Sequence, residues 1–115
     1  MFQDVTSLTL RSALDGLAVR QRTIADNIAN IATPGFRAGR VSFEAALREA
    51  VESGDPGGTS ATVLRSLEPT RPDGNNVNLD TETLASVDTN LRYQLALRAM
   101  DHEFGVLRSS MRTNG

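Results

Sequence analysis

Apolar residues recur at alternating spacings of four and three along the first thirty or so residues of the chain. This spacing is typical of a coiled-coil seam, in which a narrow apolar edge of one helix packs against another helix. The seam consists of Leu10, Leu14, Leu17, Ile24, Ile28 and Ile31, and only Gln21 interrupts it. It predicts one helix from about Asp4, roughly 28 residues and about 40 Å long. Such a helix is too long for a compact globule of 115 residues.

The last third of the chain predicts a second long helix that has two apolar faces. Asp80 is expected to cap it, with Glu82 in the first turn, where the helix dipole favours a negative charge. One face consists of Leu84, Val87, Leu91 and Leu95, and the other of Tyr93, Leu97, Met100, Phe104, Leu107 and Met111. At about 100° per residue these faces lie about 180° apart. A single partner helix cannot cover both, so this helix needs neighbours on two sides.

The first helix is predicted to end at a sharp corner. Pro34 has no amide hydrogen and disfavours helical geometry in the residue before it, so the helix ends by about Ala32. Pro34 and Gly35 suit the central positions of a type II turn, in which the second residue has a positive φ. The side chain of Asn30 can bond backbone groups freed at the helix end. We expect Phe36 to be a buried aromatic residue that follows the corner.

The middle of the chain predicts only small elements. Ser42 is expected to cap a short helix, which could fold back on the first helix or reach a neighbouring molecule. Its apolar face consists of Phe43, Ala46, Leu47, Ala50 and Val51. Residues 53 to 60 form a flexible linker that is too polar and too rich in glycine to bury anything. Residues 62 to 65 and 77 to 79 alternate weakly like strands, which supports at most a small hairpin.

Two stretches of the chain carry a resemblance to a known family. The corner carries the pattern Asn27-x-x-Asn30-x-x-Thr33-Pro34-Gly35-Phe36. It resembles the signature of the bacterial flagellar rod and hook proteins, a family of axial proteins. Further along, the chain has Asp73-Gly74-Asn75-Asn76-Val77-Asn78-Leu79-Asp80 and then Asn90-Leu91-Arg92-Tyr93-Gln94. Within the family, the chain is most similar to the members that build the proximal rod of the basal body.

The resemblance implies a structural subunit that transmits torque mechanically and has no enzymatic activity. It implies that the partners are other copies of the chain, other rod and basal-body proteins, and the flagellar export apparatus. It also implies a location in the rod of the basal body, outside the cytoplasm, after export without a cleaved signal peptide. No cofactor and no small-molecule substrate are implied.

Composition limits the other functions that the chain could have. With 115 residues, 39% hydrophobic and 4% aromatic, the chain can form one domain at most, with a thin core. The net charge of -2 argues against a general nucleic-acid binder, because neutralising phosphates needs a basic surplus. Cysteine is absent, which excludes disulfides and thiolate metal sites. No apolar run is long enough to span a bilayer, and we see no secretory signal.

Candidate catalytic chemistry is sparse. His102 is the only histidine, and it lies between Asp101 and Glu103 on a predicted helix, where a solvated or ion-paired role is typical. The chain has no phosphate-binding loop, zinc-ligand spacing or nucleophile elbow. We therefore predict no catalytic, cofactor-binding or metal-binding residues.

The sequence thus predicts a mainly α-helical fold whose two long terminal helices form a coiled-coil-like pair. Residues 1–32 with 80–115 would form the assembly domain, and residues 33–79 the corner, short helix, linker and weak hairpin. Assembly is predicted to use Leu10, Leu14, Leu17, Ile24, Ile28 and Ile31 with Leu97, Met100, Phe104 and Leu107. An isolated hairpin would leave more apolar surface exposed than a soluble monomer tolerates. The alternative is a soluble helical adaptor or chaperone-like module that offers the same helices to one partner. An interfacial membrane helix is less consistent with the balanced charge of the polar faces.

Overall fold

The molecule is mainly helical, with two long terminal helices and a small middle region. The computed structural model describes the backbone of residues 2 to 114 and the side chains of residues 5 to 112. In chain order the elements are α1 (Phe2–Ala29), β1 (Gly39–Ser42), α2 (Glu44–Glu52), a single 3₁₀ turn (Pro56–Gly58), β2 (Thr62–Arg65) and α3 (Leu79–Asn114). The fold class predicted from the sequence is confirmed. The first helix begins at Phe2, before the predicted start.

The two long helices lie side by side and run antiparallel. Hydrogen bonds join Asn27 of α1 to Glu82 of α3, and Gln21 to Ser86. The residue number therefore rises along α3 as it falls along α1. The Cα atoms extend over 67 × 26 × 14 Å, so the molecule is a thin plate in which the long helices have no second layer over them.

The small sheet pairs strands that enclose α2. β1 and β2 are antiparallel, with Gly39 opposite Arg65 and Ser42 opposite Thr62. The predicted strand at 62 to 65 is confirmed, but its predicted partner at 77 to 79 is wrong. The amide of Val77 instead donates to the Asn75 side chain at 2.7 Å, and its carbonyl accepts from Arg71 at 2.6 Å. Because side chains satisfy this backbone, it does not join the sheet.

A small apolar core lies where α1, α2 and the sheet meet. It consists of Leu17, Phe43 and Leu47, with Ala13, Val41, Ala61 and Tyr93 packed around it. The ring of Phe43 lies on α1 at Gly16, where a Cβ atom would come within 2.5 Å of a ring carbon. Gly16 is therefore needed for close packing, which explains a helix-destabilising residue in the middle of a helix.

Three local predictions for the middle of the chain are wrong. Phe43 rather than Ser42 is the N-cap of α2, and it makes no capping side-chain bond. Asn78 rather than Asp80 caps α3, since its Oδ1 accepts from the amide of Thr81 at 3.1 Å. The segment at 53 to 60 does bury a residue: Pro56 is fully buried. Its carbonyl accepts from the Ser12 hydroxyl of α1 at 2.7 Å, which holds the segment against the long helix.

Candidate assembly surfaces and the corner beside them

The corner after α1 has the predicted geometry. Gly35 has a φ of 75°, and the amide of Phe36 donates to the carbonyl of Thr33 at 3.2 Å across the turn. The Asn30 side chain donates to the carbonyl of Asp26 at 2.9 Å, and this carbonyl also accepts from the Asn30 amide at 3.1 Å. The side chain therefore bonds to the backbone at the helix end, but not to a freed group as predicted. Thr33, Pro34 and Gly35 are exposed. Phe36 is half-buried rather than buried, and the Arg65 guanidinium carbon lies 5.4 Å from the centre of its ring.

The loop before α3 fastens the corner. The side-chain nitrogen of Asn75 donates to the carbonyls of Asn30 and Thr33, each at 2.8 Å. The amide of Gly35 donates to the carbonyl of Asp73, also at 2.8 Å. The two sequence stretches that carry the family resemblance are therefore parts of one hydrogen-bonded structure, although more than forty residues separate Asn30 from Asn75.

A second asparagine of the same loop holds the sheet. The amide of Ala38 donates to Asn76 Oδ1 at 2.7 Å. The side-chain nitrogen of Asn76 donates to the carbonyls of Ser66 and Glu68 at 3.3 and 3.2 Å. This one side chain thus joins the segment before β1 to the segment after β2, so the start of α3 and the sheet are held together.

Asn27 lies at the centre of a buried polar group. Its side-chain nitrogen donates to the Gly39 carbonyl and to Glu82 Oε2, both at 3.0 Å, and its Oδ1 accepts from the Gly39 amide at 2.8 Å. Glu82 is fully buried, and its other oxygen accepts from the Arg40 guanidinium at 2.7 Å. Each carboxylate oxygen therefore has a donor, as a buried charge requires. We call Asn27, Arg40 and Glu82 the polar cluster.

A further ion pair clamps α2 to α1. The Arg20 guanidinium donates to Glu44 at 2.6 Å and to the carbonyl of Val41 at 2.9 Å. It also lies 4.9 Å from the centre of the Phe43 ring. The hydrogen bond from Arg20 lowers the pKa of the Glu44 carboxyl below its ordinary value of 4.5. The charged form of Glu44 therefore stabilises the fold.

The apolar residues predicted as a seam on α1 face inward to different degrees. Leu17 and Ile24 are buried within the subunit, whereas Leu10, Leu14, Ile28 and Ile31 are half-buried. Gln21, which interrupts the seam, is exposed and makes the hydrogen bond to Ser86. Most of this seam therefore packs inside one molecule, against α3 and the middle region.

The two apolar faces of α3 have different surroundings. Leu84, Val87, Leu91 and Leu95 each expose between 55% and 71% of their surface. Leu95 also borders the groove between α3 and the Leu17 and Phe43 side chains. On the opposite face Tyr93 and Met100 are half-buried, while Leu97, Phe104 and Leu107 are exposed. We call the first set the outer stripe. It is the largest row of exposed aliphatic side chains on one element in the described part of the chain.

Sequence reasoning missed the residues that hold α3 against α1. The inward side of the first half of α3 carries Glu82, Ser86 and Thr89, and it is polar. Hydrophobic periodicity could not identify this side, because it assumes that apolar residues point inward. The only signal was the concentration of asparagines in the two resembling stretches, since their side chains commonly bond to the backbone in turns.

Two kinds of feature are absent from the described part of the chain. Within the described residues, no group of three or more His, Asp or Glu side chains could hold a metal ion. No stretch of the described helices is both long and apolar enough to cross a membrane.

Comparison with known proteins identifies the family. A family model described as "Flagella basal body rod protein" matches residues 8–37. The flagellar basal body rod protein FlgB of Borreliella burgdorferi is 33% identical, over 79% of this chain and 84% of the relative. The proteins of the same name from Escherichia coli and Bacillus subtilis are 31% and 28% identical, over 78% and 90% of this chain and 80% and 91% of the relatives. The chain therefore belongs to the family of flagellar basal body rod proteins, which are structural proteins and not enzymes.

Proposed function

We propose that this chain is a subunit of the proximal rod and joins its neighbours through the apolar faces of α3. The relatives named above are basal body rod proteins, and their similarity extends over most of the chain. We also propose that the terminal helices, residues 1–32 with 80–115, are the assembly domain, and that residues 33–79 set the corner. In this role the subunit transmits torque by rigid contact.

The outer stripe is the observation that carries the proposal. Its four aliphatic side chains lie on one face of one helix and are more than half exposed. Burying a Leu or Val side chain fully contributes roughly 1.5–3 kcal/mol. Burying the exposed parts of four such residues would therefore stabilise a complex by several kcal/mol, and only contact with another molecule can bury them. A row of this kind marks an interaction surface in a soluble protein.

The second apolar face of α3 extends the surface available to neighbours. Leu97, Phe104 and Leu107 expose 42%, 45% and 38% of their surface, and Met100 is half-buried. They lie about 180° from the outer stripe around the helix axis. This second face continues the side of α3 on which Glu82 and Tyr93 contact α1 and the core, so a neighbour can reach only its exposed parts. Neighbours on the outer stripe and on these exposed parts would contact the same helix, and head-to-tail contacts generate a helical filament when they do not close into a ring.

The seam on α1 contributes to assembly indirectly. Leu17 and Ile24 are buried, so neither side chain is available to a neighbour. We propose that they pair α1 with α3 and the middle region, and that Leu10, Leu14, Ile28 and Ile31 complete this packing. We also propose that the flagellar export apparatus recognises the chain before assembly.

Charge insertion on α3 tests the proposal. Leu91→Arg on the outer stripe and Leu97→Arg on the opposite face should each abolish swimming in a host that lacks its own copy. Circular dichroism of the isolated variants should match that of the parent, because both side chains are exposed. Ala99→Arg is the matched control, since Ala99 is exposed and lies on neither face. Leu17→Arg should instead unfold the subunit.

Normal swimming with both Leu91→Arg and Leu97→Arg would exclude these faces as assembly surfaces. Light scattering of the parent protein at increasing concentration gives a second readout: a rod subunit should grow or co-assemble. A small closed oligomer that does not grow would favour the adaptor interpretation.

A further inference from the structure

We propose that the polar cluster of Asn27, Arg40 and Glu82 sets the register in which α1 and α3 pair. These are positioning residues: they determine which turn of one helix lies beside which turn of the other. The inference concerns contacts inside one subunit, so it does not depend on whether the outer stripe is the assembly surface.

Apolar contacts alone specify this register weakly. The seam repeats every seven residues along α1, from Leu10 to Leu17 and from Leu17 to Ile24, and reaches Ile31 just beyond the end of the helix. A partner helix that slides by one heptad meets nearly the same apolar edge, as in coiled coils. Only two apolar residues of α1, Leu17 and Ile24, are buried, they lie one heptad apart, and no apolar residue of α3 is buried among the described side chains. Side-chain shape therefore contributes little to the choice between registers.

Polar positions on the two helices match in the observed register. Asn27 of α1 lies beside Glu82, and Gln21 lies beside Ser86 at 3.1 Å. Glu82 is fully buried, yet both of its oxygens have donors, one from Asn27 and one from Arg40. A single buried polar residue can specify the register of paired helices, because every other alignment leaves it without partners.

Sliding by seven residues in either direction breaks this match. In one direction Glu82 passes beyond the end of α1 and loses Asn27. In the other it comes beside Arg20, which would have to leave Glu44 and the Val41 carbonyl. In both cases the Asn27 and Arg40 donors lose their carboxylate. Such mispaired buried charges are strongly unfavourable. We therefore expect molecules in the native register to outnumber those in a slipped register by at least about tenfold.

The absence of cysteine makes the register measurable. Pairs of introduced cysteines can be joined with a short thiol-specific cross-linker in dilute protein, and the product can be identified by mass spectrometry. Gln21→Cys with Ser86→Cys reports the native register. Leu14→Cys or Ile28→Cys with Ser86→Cys reports a slip of one heptad in either direction. The parent should give the native product in at least about tenfold excess over either slipped product.

Removing the polar cluster should allow slipping without loss of helix. In the Asn27→Leu, Glu82→Leu background the bonds of Asn75 and Asp73 to the corner remain. We therefore expect the native excess to fall several-fold rather than to vanish, with helicity by circular dichroism unchanged.

Asn90→Leu with Asp88→Leu is the matched control, since both residues are exposed residues of α3, and it should keep the native excess. Unchanged native excess in the Asn27→Leu, Glu82→Leu variant would overturn the proposal. Loss of helicity would also overturn it, because the cluster would then be needed for folding rather than for alignment.

Discussion

Replacing Gly16 by alanine should destabilise the subunit, although the same change in most helices is stabilising. A helical Gly→Ala substitution ordinarily contributes up to about 1 kcal/mol. At Gly16, however, the new Cβ would lie 2.5, 2.6 and 2.7 Å from three carbons of the Phe43 ring. The ring cannot move away freely, because it is buried against Leu17 and Leu47.

The expected change in the free energy of unfolding combines two opposing contributions, the steric cost at Phe43 and the gain in helix propensity. Overpacking of a core typically costs about 1–3 kcal/mol, so after the gain in helix propensity we expect a net loss of about 1–2 kcal/mol. For a chain of this size, that corresponds to a fall in melting temperature of about 4 °C or more. Urea and thermal unfolding, followed by circular dichroism at 222 nm as the usual helix signal, measure it.

Two further variants make the test specific. Gly105→Ala in α3 is the matched control: no atom lies within 4 Å of its added Cβ, so it should stabilise by up to about 1 kcal/mol. Phe43→Leu removes the ring, and in that background Gly16→Ala should become neutral or stabilising. A coupling free energy near zero between Gly16 and Phe43, or a stabilised Gly16→Ala variant, would refute the steric account.

Three other substitutions test the corner and the clamp on α2. Asn75→Ala should cost about 2–4 kcal/mol in urea unfolding, because it removes two side-chain hydrogen bonds to corner carbonyls and leaves the amide of the buried Val77 without its acceptor. Asn90→Ala, at an exposed site, should change stability by less than about 0.5 kcal/mol. A small loss in the Asn75 variant would contradict the fastening role. The lowered pKa of Glu44 means that its ion pair with Arg20 stabilises the fold above the ordinary pKa of 4.5 and loses this effect as the pH falls through the lowered pKa. The stability difference between parent and Glu44→Gln should therefore shrink when unfolding is measured at decreasing pH below 4.5, and a constant difference would exclude the pair as its source. Gly35→Ala should cost about 1–2 kcal/mol because its φ is 75°, and an unchanged melting temperature would indicate that the turn relaxes.

Rules that concern only residues close in sequence were sufficient to predict the long helices and the corner. The heptad-like repeat from Leu10 to Ile31 extends over about six helical turns. Pro34 with Gly35 allows few backbone conformations. The strand β1 was missed because Gly39–Ser42 is short and has a single apolar residue, Val41. It pairs with β2, and its start is held by hydrogen bonds from distant parts of the chain: Asn27 accepts from the Gly39 amide and Asn76 from the Ala38 amide.

The inward side of α3 could not be predicted from periodicity. Because the outer stripe carries four aliphatic residues, periodicity predicts that this stripe is buried. The structure instead buries Glu82 and Thr89 on the other side of the helix. The reason is long-range: Arg40 and Asn27 provide the donors that make a buried carboxylate tolerable. The sequence places these donors more than forty residues before Glu82, and no local pattern links them to it.

The 14 Å thickness of the Cα plate has a practical consequence for genetics. In a body this thin, most described positions on α3 are exposed and thus open to a neighbouring rod subunit or to solvent, whereas most of those on α1 are at least partly covered by the chain's own atoms. Melting experiments on purified protein will therefore register damage at Gly16, Phe43 or Asn75 but pass over damage at Leu84 or Leu91. A swarm-plate screen should detect both the variants that unfold and the variants that cannot assemble. Those that fail only on the plate should identify the residues that contact neighbouring rod subunits.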